Sequence, residues 1–106
     1  MKIRNNPFEL VLQVYKDLYG NTEIDIAFDI DVKKRYLFFG MWGYTNFDGK
    51  IPKVRISAHL PVYHAVEILA HELAHVRVGF EEDHNDKWED CFSEIHAEFL
   101  KRVNKS

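Results

Sequence analysis

The segment HELAH, residues 71–75, sets two imidazoles four positions apart with a carboxylate between them. On an α-helix His71 and His75 would lie one turn apart and project together. Two imidazoles placed that way can bind one zinc ion at about 2.0–2.1 Å each. Glu72 is rotated by about 100° from His71, so it would flank the ion without having to ligate it. A carboxylate in that place can take a proton from a zinc-activated water, which is the logic of the H-E-x-x-H pattern in zinc hydrolases. With this chain's histidine and glutamate content, the pattern would arise in roughly 3% of shuffled sequences, so chance is a weak account of it. The bland alternative is a pair of partly buried helix histidines with no metal.

Catalytic zinc commonly takes three protein ligands and leaves one position for water. The candidates for the third are His84, Glu89, Glu94, His96 and Glu98. His84 is favoured. It stands four residues before Trp88, in register with the apolar stripe of the last helical segment, just past the turn that follows His75. His96 is about 100° off Ile95 and further along that helix, so it reads as a flanking surface histidine. Glu94 and Glu98 meet similar objections and stay in reserve with Glu89 and His96. His64 shares a helical face with His71 but lies about 10 Å up the axis, too far to share the ion. His59 alternates with Arg55 and Ser57 on the polar face of a strand and reads as ordinary.

The surrounding elements must hold these residues. Asn6, Pro7 and Glu9 form a helix start signal, and Gly20 a stop, which predicts a helix over about residues 7–19 with Phe8, Val11, Tyr15 and Leu18 inward. Ile24, Ile26, Phe28 and Ile30 alternate with Asp25, Ala27, Asp29 and Asp31, a half-buried strand. The aspartates need no calcium site to explain them. Residues 34–47 form a second, aromatic strand region, in which Gly40 and Gly43 predict a bulge or bend. Asp48-Gly49 is a turn signal. Val54, Ile56, Ala58 and Leu60 mark a third strand. Pro61 opens the helix that carries HELAH, with Val66, Leu69, Leu73, Val76 and Phe80 on its apolar stripe. The two histidines centre about 150° from that stripe, facing a cleft. Trp88, Phe92, Ile95, Phe99 and Val103 form the stripe of a last helix. Helix, strand meander, helix, helix predicts an α+β domain, residues 1–106, with its helices on one face of a three- to four-stranded sheet.

The whole chain is consistent with that. It has 106 residues, 46% of them hydrophobic and 14% aromatic, enough for one packed core. The net charge of −3 and the scattered cations exclude a nucleic-acid-binding face. Lys33-Lys34-Arg35 reads as a solvated turn. Cys91 is the single cysteine, so no intramolecular disulfide forms, and its apolar neighbours make it a small core hydrophobe. No stretch suits a membrane span or a signal peptide, which predicts a soluble, cytoplasmic protein with no membrane partner.

HELAH followed by HNDKW, residues 84–88, resembles the H-E-x-x-H…H-x-x-x-W/F arrangement of SprT-like zinc metallopeptidases. The short length and element order resemble the minigluzincins, very small metallopeptidases. The resemblance is specific over the last third of the chain and covers the rest only in element order. It implies a zincin-like domain, peptide or protein substrates, a histidine as third zinc ligand, and latency imposed by the C-terminal segment. The short linker from His75 to His84 and the lack of a cysteine-rich zinc ribbon depart from SprT-like proteins, so the resemblance does not extend to cleaving proteins from DNA.

The expected function is therefore a zinc metallopeptidase with Glu72 as general base and zinc on His71, His75 and His84. The substrate is expected to lie extended along an edge of the sheet. The rival is a catalytically silent zinc-binding interaction module whose metal staples two helices. Exchange of the last helix between two chains, giving a homodimer, is compatible with so small a core. Trimming after about Phe99 is expected to raise activity.

Overall fold

The computed structural model describes residues 6–29, 42–47, 49–79 and 86–104. Ile30, Asp31, the Lys33-Lys34-Arg35 run, Gly40, Asp48, Phe80 and His84 lie outside the described residues, as does the first part of the aromatic strand region.

Helix α1 spans Pro7–Tyr19. The Asn6 side chain caps it, accepting from the backbone N–H of Phe8 at 3.0 Å and of Glu9 at 3.4 Å. Gly20 ends it with a positive φ of 91°, a conformation open to glycine at little cost. Val11, Val14 and Tyr15 are its buried residues; Phe8 and Leu18, expected inward, are only partly buried. Strands β1 (Asp25–Asp29), β2 (Gly43–Asn46) and β3 (Lys53–Ser57) follow. Helix α2 spans Val62–Val78 and helix α3 spans Asp86–Asn104.

The strands do not form a meander. Their order is β1-β3-β2, with β1 parallel and β2 antiparallel to β3. The physical reason lies in burial. Val54, Ile56 and Ser57 are almost fully buried, so β3 suits the centre, whereas every described residue of β1 and β2 keeps some exposure. Alternation shows which face of a strand is inward, but not which strand it pairs with. Strand β3 also stops earlier than its alternation predicts. The Ser57 hydroxyl accepts from the N–H of His59 at 3.2 Å, and Ala58–Leu60 turn toward Pro61.

The protein is an α+β fold in which α2 covers the sheet, touching β2 and β3, while α1 and α3 pack on α2 and on each other. The core joins Val11, Val14 and Tyr15 to Val54, Ile56, Leu69, Leu73 and Ile95. Cys91 is free and buried, as expected of a small core hydrophobe. Val103, expected on the inward stripe of α3, is 41% exposed instead. With Val62, Tyr63 and Leu100 it lines an apolar groove between the ends of the three helices. Among the described residues no helix is long and apolar enough to cross a membrane.

Candidate metal centre

Helix α2 puts the three motif residues on different surfaces. Its Leu69–Leu73 side is in the core, His71 and His75 look toward α3, and Glu72 looks toward β2. The Nε2 atoms of His71 and His75 stand 3.3 Å apart. Two ligands at about 2.0–2.1 Å from one ion, separated by a tetrahedral angle, are about 3.3–3.4 Å from each other. The histidine pair therefore has the bite of a zinc site. The His71 side chain keeps 29% of its surface exposed, so the site is reachable from solvent.

Trp88, in the first turn of α3, walls this pair. Its ring lies edge-on to His71 at 4.6 Å and stacks on His75 at 5.3 Å. Its indole N–H donates to the backbone carbonyl of His71 at 3.2 Å. Trp88, Phe92 and His96 then stack in sequence at 5.4 and 5.5 Å along one face of α3. Phe92 thus stands between Trp88 and His96, and His96 lines the apolar groove at the far end.

Two of the other reserve ligands are also engaged elsewhere. Glu94 accepts from the Tyr19 hydroxyl of α1 at 3.2 Å. Glu98 pairs with Arg102 at 3.0 Å, and Arg102 reaches Asp17 of α1 at 2.8 Å. Glu89 is exposed. Among the described residues no group of three or more histidine, cysteine, aspartate or glutamate side chains is arranged to hold a metal ion. His84, the favoured third ligand, lies outside the described residues.

Glu72 is only 5% exposed, a rare place for a carboxylate without a partner. Its partner is Thr45 on β2, whose hydroxyl lies 2.7 Å from Glu72 Oε1 and 3.4 Å from the Glu72 backbone carbonyl. The other oxygen, Oε2, lies 4.0 Å from His71 Nε2. Burial pushes the Glu72 pKa up to about 7, against the lowering effect of the Thr45 hydrogen bond. Thr45 was not singled out from the sequence. It stands on the inward side of β2 because it pairs with buried Val54, a relation that only the register reveals.

Gly43 shares that inward side. It pairs regularly with Ile56, so it is neither a bulge nor a bend. What it supplies is space. A Cβ there would sit 2.8 Å from Ile68 Cγ2, 3.0 Å from the Arg55 carbonyl oxygen and 3.6 Å from Glu72 Oε2. Gly43→Val is therefore expected to push β2 off α2 at a cost of about 1–3 kcal/mol, typical of overpacking. Thermal unfolding checks this: a domain of this size should lose at least about 4 °C of melting temperature, and an unchanged midpoint would refute the close approach.

Comparison with protein-family models, with curated proteins and with solved structures finds no match for this chain.

Proposed function

We propose that this chain is a zinc-dependent metallopeptidase. The observation that carries the reading is the pair of imidazoles, with His71 Nε2 and His75 Nε2 3.3 Å apart, and the buried Glu72 beside it, whose Oε2 lies 4.0 Å from His71 Nε2. His71 and His75 would hold the ion, with His84 as the third ligand. A zinc ion so held supplies Lewis acidity toward water and toward a substrate carbonyl. Glu72 supplies the base: Oε1 is occupied by Thr45, so Oε2 accepts the proton of the attacking water and passes it to the leaving amine nitrogen. The substrate peptide would run past β2, the strand beside Glu72. The free, buried Cys91 is compatible with a reducing compartment such as the cytoplasm.

The described end of α3 gives no support to latency by coverage of the histidines, since Arg102 is bonded to Asp17 and Val103 lines the groove. The part of α3 that overlies both imidazoles is Trp88. That contact favours the second reading, a silent zinc-binding module, in which the indole closes one side of the site. The test is turnover of a mixed peptide pool by protein carrying one zinc per chain. Hydrolysis is expected, lost on chelation and regained with one equivalent of zinc. Stoichiometric zinc without turnover supports the silent module.

A further inference from the structure

Glutamate has three side-chain torsions, and a working base must be held in one arrangement. In this protein a hydrogen bond from β2 reaches the Glu72 carboxylate. The Oε1 atom of Glu72 is fixed by the Thr45 hydroxyl at 2.7 Å, and Thr45 itself is fixed by pairing with Val54 on the central strand. Gly43, two residues earlier on the same side of β2, lets the strand lie close to α2, since a Cβ there would come to 2.8 Å from Ile68 Cγ2. Gly43 thus brings β2 close to α2, and Thr45 offers the hydroxyl that meets the carboxylate. With Oε1 engaged, Oε2 stands 4.0 Å from His71 Nε2.

We propose that Thr45 is a positioning residue that holds the Glu72 carboxylate off the metal and presents Oε2 to the reacting water. This rests on the peptidase reading. Without the hydroxyl, Oε1 would be buried with no partner, an unfavourable state for a carboxylate. The side chain would then swing from β2 toward the imidazoles, where it becomes a competing metal ligand. Loss of Thr45 should therefore damage turnover without weakening metal binding, the opposite of what loss of a merely structural contact does.

Thr45→Val keeps the shape and the strand propensity of the side chain and removes the hydroxyl; Thr45→Ser keeps the hydroxyl. Thr45→Val is expected to lower kcat by about tenfold or more, the scale seen when groups that orient a metal site are lost, with KM little changed. Its zinc affinity, read by competition with a chelator, should be equal to or tighter than that of the unaltered protein. Thr45→Ser should recover most of kcat. In the metal-free protein, the carboxyl carbon resonance of Glu72 should move in Thr45→Val and stay near its original position in Thr45→Ser. Unchanged kcat in Thr45→Val, or zinc affinity falling in step with kcat, would overturn the assignment. If the unaltered protein shows no hydrolysis, the peptidase reading fails, and the carboxyl resonance still decides Thr45: an unmoved signal in Thr45→Val sinks the positioning role.

Discussion

Glu72→Gln is expected to keep its zinc and lose peptide hydrolysis by about two to four orders of magnitude, the contribution typical of a positioned general base. The substitution is close to isosteric, and the glutamine carbonyl oxygen can still accept from Thr45, whose hydroxyl lies 2.7 Å from Oε1. It removes only the ability of Oε2 to take a proton. The checks are zinc content by elemental analysis and steady-state kinetics on contaminant-free protein. Undiminished hydrolysis would remove Glu72 from the chemistry.

The same substitution carries a pH signature in the metal-free protein. Burial raises the folded-state pKa of Glu72 from 4.5 to about 7, so the unfolded chain gives up this proton first. The group's contribution to stability is thus full below about pH 4.5 and is lost as pH rises through about 7. At 1.36 kcal/mol per pKa unit the loss is on the order of 3 kcal/mol. Thermal unfolding across this window should show a fall that Glu72→Gln lacks. Parallel curves for the two proteins would contradict the burial argument.

The second large effect concerns the metal. His71→Ala and His75→Ala are each expected to weaken zinc binding by more than about 100-fold, the upper end of what loss of an orienting neighbour produces. His84→Ala should match them, while His96→Ala and Glu98→Ala should leave affinity close to that of the unaltered protein. The geometry behind the contrast is specific. His96 is stacked on Phe92 and lines the groove, and Glu98 is bonded to Arg102. Competition titrations with a chromophoric chelator would rank all five variants. Zinc lost from His96→Ala and retained by His84→Ala would mean that α3 contributes to the site from a different turn.

Much of this arrangement is legible in the chain itself, for local reasons. Helix α1 starts and stops at its cap and its glycine, because those signals act within a few residues. The i, i+4 spacing brings His71 and His75 together, because one helical turn separates them whatever else the protein does. Glu72 follows at a fixed rotation. Only the tertiary structure decided the rest. The order β1-β3-β2 could not be read from alternation, since period two marks faces and not partners. Gly43 looked like a bulge, and its close approach to Ile68 exists only once α2 lies on β2. Val103 fits the helical stripe by spacing, yet the helices leave it at an open groove. Thr45 became visible as the partner of Glu72 only through the pairing of β2 with β3, across 27 residues of sequence. Spacing along one helix specifies which groups point together. Which strand meets that helix depends on how the apolar surfaces of distant segments are best buried, and that competition is settled by the whole chain at once.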